Sequence, residues 1–424
     1  MATDPKAAVA VPHTPQRILS VDALRGFVVF TMIFVNDLAG VSSKIVPPWM
    51  RHFHGKSGMT FVDLVFPAFL FIVGMSIPFA LGSRLAKGEA MWKTVFHVFS
   101  RTLALLVIGI MMVNESPDAS AMGWSPTLWS VLMYVSSILA FCVLGPGTKA
   151  ADGRESSKIW SYATAGLRIV GSIGLALLAL TFRGANGQRI ISFSPFSIHT
   201  EWYGILGLIG WAYLVASLVF LCFRGNRTAL LGSMVLLLGM YAAERTGAFN
   251  DFWLARYVGL GGALGSQASI TVAGVLLASI LRDPTMTSAG PRVRFTLLFA
   301  AGCAAGALLL HGLYGINKNS ATPSWCLWAS AITALLWLGF YALCDVRSPG
   351  RVAKALALAG SNVLLAYLLS EMFPSLLDLV GAGDLYGHLA HGGLASAIAR
   401  SAGCGVIILL AAMGLNRAGF RLKI

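Results

Sequence analysis

Residues 60–82 read TFVDLVFPAFLFIVGMSIPFALG, and this stretch decides the fold class. It contains one charged residue, Asp63, in a run long enough to cross about 30 Å of hydrocarbon as a helix. Similar runs recur along the 424-residue chain, which is 57% hydrophobic and 11% charged, with a mean hydropathy of +0.75. A water-soluble fold does not bury so much apolar surface. The sequence therefore predicts an all-α, polytopic bundle of about 10–12 membrane helices.

Twelve apolar segments are candidate spans, separated by short loops. They lie near 20–38, 60–82, 95–113, 126–144, 165–182, 204–222, 229–246, 259–281, 295–316, 324–345, 355–379 and 394–416. Neither a convincing internal repeat nor a loop long enough for a soluble catalytic domain is present. We therefore expect a cytoplasmic tail over 1–17 and a single transmembrane domain over 18–424, so that any chemistry occurs in the bundle or at its mouths.

The net charge of +14 is distributed unevenly between the two sides of the predicted bundle. If residues 1–17 are cytoplasmic, the tails and loops of that side hold 19 of the 31 Lys and Arg residues, against 7 in the loops of the opposite side. Positive residues favour the cytoplasmic side, so both termini are predicted to be cytoplasmic, with the helices in a lipid bilayer. The charge is thus explained by topology, and no nucleic-acid partner is expected.

The six cysteines fall in or near spans and form no CxxC pair, so no disulfide framework and no metal site is predicted. The first apolar stretch contains Asp22 and Arg25 and lacks a small-residue cleavage site. A removable signal peptide is therefore not expected.

Ionisable side chains inside the predicted spans are the first candidates for function, because each costs a few kcal/mol at the membrane centre unless it is paired or hydrated. Asp22 and Arg25 share one helix face near the cytoplasmic boundary. This pair either orients the helix or presents the arginine to a phosphate. Asn36 and Asp37 end the same span at the opposite surface, and Asp63 lies in the first turn of the next span. Asp63 is either a partner for a functional group or a helix cap.

Two histidines, His52 and His54, lie in the loop between these two spans. Imidazole is the natural base at neutral pH, and a neighbouring carboxylate or amide sets its tautomer. A loop histidine is usually only solvated, but two of them beside Asn36, Asp37 and Asp63 favour a reactive site.

Three blocks of the sequence resemble the heparan-α-glucosaminide N-acetyltransferase family and its bacterial relatives. The first block comprises residues 17–26, 34–36, 52–60 and 63–74; the others are Gly315-Ile-Asn-Lys318 with Thr322-Pro-Ser324, and residues 360–367. They follow one another in the family's order over most of the chain. The first block is the most specific, and the later two are weaker.

The resemblance implies a transmembrane acetyltransferase with a core of roughly ten helices, and the bacterial relatives make a bacterial inner membrane the expected location. Acetyl-CoA from the cytoplasm would donate its acetyl group to an amino sugar on the far side. The family's catalytic histidine corresponds to His52 or His54, and the asparagine that lines its site corresponds to Asn36. The order Trp49 then histidine favours His52, with Asp63 holding the imidazole. Acetyl-CoA is the expected co-substrate, and its phosphates would meet Arg25, with its partner Asp22, and Arg101 at the cytoplasmic mouth.

The acceptor site is expected to combine carboxylates for hydroxyl or ammonium groups with aromatic rings for the sugar faces. Candidates near the outer surface or deep in the bundle are Asp37, Glu201, Trp202, Asn317, Lys318 and Glu371. For any one of the residues near the outer surface, interfacial anchoring is the better explanation. Pairing with Arg400 is an equally good account of Glu371.

Two other functions remain open from the sequence. A twelve-helix sugar or solute transporter would also place ionisable groups in the bundle, although such folds usually show internal repeats. An O-acetyltransferase acting on an exported glycan would use the same donor chemistry. A homodimer is a further open expectation.

Overall fold

The structure is a computed structural model of the full chain, and it describes residues 18–114, 117–145, 154–184, 187–194, 196–198, 204–347 and 349–424. Helices dominate these residues. They are α1 (Leu19–Ala39), α2 (Val62–Ala86), α3 (Met91–Val113), α4 (Ala119–Met122), α5 (Pro126–Ala140), α6 (Arg154–Thr181), α7 (Ile205–Phe223), α8 (Arg227–Arg245), α9 (Ala268–Ser279), α10 (Ala289–Tyr314), α11 (Pro323–Tyr341), α12 (Arg351–Ala359), α13 (Val363–Leu379), α14 (Gly383–His388) and α15 (Leu394–Arg417). Four short strands are β1 (Cys142–Leu144), β2 (Ile191–Phe193), β3 (Phe196–Ile198) and β4 (Phe420–Leu422).

The helical membrane fold predicted from the sequence is confirmed. Within the described residues, nine helical segments are long and apolar enough to cross a membrane, and the pair α12 and α13 makes a tenth if it is counted as one span. Each of the twelve predicted segments contains a helix. The segment 126–144 was predicted too long, because α5 has 15 residues and the chain then enters β1. Helix α8 is outside the nine and carries charged residues at both ends.

Helix α2 lies at the centre of the bundle and packs against α9 through two glycines. A Cβ atom at Gly74 would lie 1.9 Å from the Thr271 carbonyl oxygen, and one at Gly274 would lie 2.0 Å from the Phe71 carbonyl oxygen. Small residues let membrane helices approach closely, so that dispersion contacts and lipid entropy hold them together. This contact fixes α2, which carries Asp63 in its first turn.

Helix α1 is held in the same way against α12. A Cβ atom at Gly26 would lie 1.9 Å from the Leu356 carbonyl oxygen, and one at Gly360 would lie 2.3 Å from the Asp22 carbonyl oxygen. Helix α1 also packs against α2, α11 and α15. Helix α1 is therefore a rigid element that carries Arg25 near its start and Asn36 near its end.

The predicted continuous span 355–379 is instead two helices that meet at 76°. Helix α12 ends at Ala359, the chain turns through Gly360, Ser361 and Asn362, and α13 begins at Val363. The break occurs where Gly360 meets the backbone of α1, a contact that hydropathy alone does not reveal.

The last strand of the chain returns to the bundle. Strand β4 pairs antiparallel with β1, with Cys142 opposite Leu422. The guanidinium of Arg168 donates to the carbonyl oxygens of Cys142 and Lys423 at 2.9 and 3.1 Å. These bonds hold residues 422–424 beside the break between α12 and α13, where they line a cavity.

Candidate active site

His52 and Asp63 form a close pair at the end of the bundle where α1 ends and α2 begins. Nδ1 of His52 lies 2.8 Å from Oδ1 of Asp63, and the carboxylate is only 1% exposed. The other carboxylate oxygen accepts the backbone N–H groups of Phe53 and Thr60, each at 3.0 Å. Of the two roles that the sequence offered for Asp63, the structure shows the partner of His52, since no side-chain cap hydrogen bond occurs at the start of α2.

Lys318 reaches this pair from the loop between α10 and α11, although it is 266 residues from His52. Gly315 ends α10 with a φ of 63°, a left-handed conformation that favours glycine. The following residues then bind the loop that carries the histidines: Gly58 N–H donates to the Ile316 carbonyl at 2.8 Å, and Ile316 N–H donates to the Ser57 hydroxyl at 3.0 Å. These bonds place Nζ of Lys318 3.1 Å from Nδ1 of His52 and 3.9 Å from Oδ1 of Asp63.

The hydrogen bonds of this triad determine what the imidazole can do. An ionised carboxylate only accepts, so Nδ1 of a neutral His52 that bonds Asp63 carries the proton and donates the hydrogen bond. The Lys318 ammonium also only donates, so in this tautomer it lies beside Nδ1 without a hydrogen bond to it. Nε2 is then the basic nitrogen. Burial lowers the pKa of the Lys318 ammonium below its usual value, and the Asp63 carboxylate offsets part of that shift. The arrangement presents a base with its tautomer fixed by Asp63.

The structure distinguishes His52 from His54. The His52 side chain is partly buried and lies against Asp63 and Lys318. His54 is exposed, and no hydrogen bond to it occurs among the described residues. Only His52 has the surroundings expected of a held base.

Asn36 and Asp37 end α1 but point to different partners. The Asn36 amide donates to Oε1 of Glu371 on α13 at 3.0 Å. Oδ2 of Asp37 accepts from Arg400 at 2.9 Å and from the Ser401 hydroxyl at 2.6 Å, and Oδ1 accepts from the Tyr386 hydroxyl at 2.7 Å. Arg400 therefore makes its ion pair with Asp37, and both oxygens of this carboxylate are engaged by protein groups.

A cavity of about 330 Å³ lies at the other end of α1 and contains two of the predicted donor-site arginines. Arg25 lines it and donates to the Ser76 hydroxyl at 2.7 Å. Arg25 also forms an ion pair with Asp22 at 2.8 Å, so the two residues share one helix face, as predicted. Arg101 lines the opposite wall, with its guanidinium carbon 4.8 Å from the centre of the Tyr213 ring.

Two buried donors of this cavity lack a hydrogen-bond partner in the described part of the chain. They are Nε of Arg101 and Nδ2 of Asn362, which lies at the break between α12 and α13. Buried polar groups are nearly always satisfied, so these two donors are available to a ligand that accepts from them. Asn362 belongs to the block 360–367 that carried the resemblance, but no role was assigned to it from sequence. Lys423 also lines the cavity and was not anticipated.

The remaining predicted acceptor residues are less informative. Asn317 donates to the Lys56 carbonyl at 3.4 Å and so belongs to the contact that places Lys318. Glu201 and Trp202 lie outside the described residues. The cavity is also lined by Ser76 and Tyr213, which were not predicted as site residues. Both lie within apolar helices, so a hydropathy pattern does not distinguish them from residues of a span.

The chain has two kinds of similarity to known proteins. A family model described as a domain of unknown function, DUF5009, matches residues 17–255, which is more than half of the chain. The heparan-alpha-glucosaminide N-acetyltransferase of Homo sapiens is 33% identical over 128 residues, and that of Mus musculus is 32% identical over 125 residues. These matches cover 29% and 28% of this chain but only 18% of each relative.

Proposed function

The chain belongs to the DUF5009 family, and from that membership and the site geometry we propose that it is a membrane acetyltransferase that moves acetyl from acetyl-CoA to the amino group of a glucosamine-type sugar across the bilayer. The observation that carries the proposal is the arrangement along α1. A held histidine lies at one end, and a cavity with arginines and unsatisfied donors lies at the other.

The donor binds in the cavity lined by Arg25 and Arg101. Arginine guanidinium groups bind phosphate through charge-assisted hydrogen bonds, and both arginines would meet the phosphates of CoA. Asn36 lies eleven residues beyond Arg25 on the same helix, which is about 16 Å along the axis at the α-helical rise. The extended pantetheine arm of CoA is comparable with this separation, so the thioester would reach the level of Asn36.

The histidine accepts the proton that the neutral acceptor amine must lose as it attacks the thioester. As the amine nitrogen forms a bond to the thioester carbonyl carbon, Nε2 of His52 takes a proton from that nitrogen. The tetrahedral intermediate collapses, the carbon–sulfur bond breaks, and the departing thiolate recovers the proton from His52. The products are an amide and free CoA. The same Nε2 would instead act as the nucleophile if the enzyme carries the acetyl group transiently.

The neighbouring groups position this base and stabilise charge. Asp63 accepts from Nδ1 and stabilises the imidazolium that forms during the transfer. Asn36 has a second amide hydrogen besides the one donated to Glu371, and it would stabilise the developing oxyanion. Lys318 disfavours a charged ammonium at the acceptor position, so the sugar amine enters in its neutral form. Asn317 and the outer residues Asp37, Glu201 and Trp202 stay predictions for the acceptor side.

The decisive experiment measures binding of radiolabelled acetyl-CoA to the purified full-length chain in detergent, followed by acetyl transfer to glucosamine. We expect saturable binding that Arg101→Gln weakens about tenfold, as loss of one charge-assisted contact implies. Arg294→Gln is the matched control, because Arg294 is exposed on α10 and does not line the cavity. Absence of saturable binding would reject the acetyltransferase and favour the transporter.

A further inference from the structure

A second cavity, of about 530 Å³, lies among the ends of α2, α7, α8 and α9. It shares no lining residue with the cavity of Arg25 and Arg101. Three arginines line it: Arg224 after the end of α7, Arg227 at the start of α8, and Arg282 after α9. Because this end of the bundle is the predicted cytoplasmic side, the three arginines lie where the helices leave the hydrocarbon layer.

The cavity is lined by more positive than negative side chains. Arg227 pairs with Asp283 and also donates to the Ser279 hydroxyl at 3.1 Å. Hydrogen bonds from Thr285, together with Arg227, lower the pKa of Asp283 to about 2, so this carboxylate stays ionised at neutral pH. It neutralises only one of the three guanidinium groups. The cavity therefore has a net charge of about +2 before any ligand enters.

The other two arginines reach the cavity through specific features of the backbone. Arg282 crosses α2 over Gly82, where a Cβ atom would lie 1.7 Å from its Nη1, and donates to the Pro78 carbonyl. Arg224 has a φ of 48°, a region that residues other than glycine rarely adopt. Its side chain is exposed, and none of the described residues makes a side-chain hydrogen bond to it. Arg224 thus remains available to a ligand.

An apolar stripe continues from the cavity along the exposed face of α8. Leu231 and Val235 follow Arg227 at intervals of four residues, so they share its face of the helix. They are 48% and 61% exposed. Phe223, beside Arg224 at the end of α7, is also exposed. A soluble phosphate compound would have no use for this stripe, whereas the acyl chain of a lipid would lie along it.

We propose that this cavity binds the phosphate headgroup of an anionic phospholipid from the adjoining leaflet, with an acyl chain along Leu231 and Val235. Arg224 and Arg282 bind the phosphate oxygens, for which guanidinium groups have matching geometry. Helix α8 would be held against α7 and α9 by a lipid that bridges their ends. Zwitterionic lipids bind less well, because their cationic group opposes the arginines.

Isothermal titration calorimetry on the delipidated full-length chain in a neutral detergent tests the proposal. The probes are dihexanoylphosphatidylglycerol, dihexanoylphosphatidylcholine and inorganic phosphate, at one ionic strength. We expect phosphatidylglycerol to bind at least about tenfold more tightly than either other probe, and Arg224→Gln to remove about tenfold of its affinity. Lys87→Gln should change it less than twofold, since Lys87 is an exposed cation at the same end that does not line the cavity.

Further variants separate the two parts of the ligand. Leu231→Gln should weaken phosphatidylglycerol binding and leave inorganic phosphate binding unchanged. Gly82→Ala displaces Arg282 and should weaken the binding of both phosphatidylglycerol and inorganic phosphate. This variant tests the headgroup site independently if Arg224→Gln does not fold. Equal affinity for phosphatidylglycerol and phosphatidylcholine, or an unchanged affinity in Arg224→Gln, would overturn the proposal. Inorganic phosphate that binds as tightly as phosphatidylglycerol would assign the cavity to a soluble anion and also overturn it.

Discussion

His52 is the residue on which the proposed chemistry depends, and its surroundings distinguish it from its neighbour. Asp63 fixes the tautomer of His52, whereas His54 is exposed. We expect His52→Ala to lower the rate of acetyl transfer by about 10²–10⁴-fold, the usual contribution of a general base. His54→Ala should stay within about threefold of wild type, which is the range expected for a surface residue outside the site. The measurement is the initial rate with saturating acetyl-CoA.

Binding of acetyl-CoA to His52→Ala serves as the control, because the donor cavity is at the other end of α1. Unchanged binding with lost transfer supports a catalytic role. Equal transfer rates in wild type, His52→Ala and the double variant with His54→Ala would show that neither histidine is the base.

The sequence predicted the pair of His52 and Asp63 in the candidate site, but not the partners that come from distant parts of the chain. His52 and Asp63 are eleven residues apart, so local spacing sufficed to suggest that they meet. Lys318 reaches them through the contact between residues 315–318 and 56–58, which depends on where α10 ends in three dimensions. Asn362 faces a cavity only because the helix breaks beside it. Such tertiary contacts leave no periodic signal in one sequence.

At the scale of elements, the contact between α2 and α9 positions the helix that carries Asp63. Gly74→Ala would place a methyl group 1.9 Å from the Thr271 carbonyl oxygen, so the helices must separate. We expect a destabilisation of about 1–3 kcal/mol, the usual cost of overpacking a core. Thermal unfolding in detergent measures the effect as a lower midpoint temperature.

Gly302→Ala is the matched control for this substitution. Gly302 is an exposed glycine within α10, and a Cβ atom there would meet nothing within 4 Å. Alanine has the higher helix propensity, so the variant should be as stable as wild type or slightly more stable. Equal loss of stability in both variants would mean that the close contact between α2 and α9 is not responsible.

Hydropathy predicted where helices occur better than how far they continue. Every predicted segment contains a helix, because apolar runs of this length have few other folds in a bilayer. The segment 355–379 nevertheless breaks at Gly360, and α5 stops after 15 residues. Both exceptions occur where another backbone approaches, α1 in the first case and β4 in the second.

At the scale of the whole molecule, the proposed reaction requires His52 and the arginine cavities to face opposite sides of the membrane. We predict that Lys44→Cys, in the loop after α1, reacts with an impermeant maleimide in intact cells. Lys87→Cys, after α2, should react only after permeabilisation. Both lysines are exposed. Each substitution is made in a Cys222→Ser protein, because Cys222 is the one exposed cysteine and the other five are buried. Labelling of both positions from the same side would contradict the predicted topology.

The break between α12 and α13 has an electrostatic consequence for the donor cavity. Val363 and Leu364, the first residues of α13, line the cavity, and no side chain caps the helix that they begin. The aligned peptide dipoles of a helix give its amino end roughly half of a positive charge. This field comes from backbone groups that do not titrate. The cavity would therefore retain part of its attraction for phosphate at any pH at which the bundle stays folded, even after every arginine that lines it has been replaced.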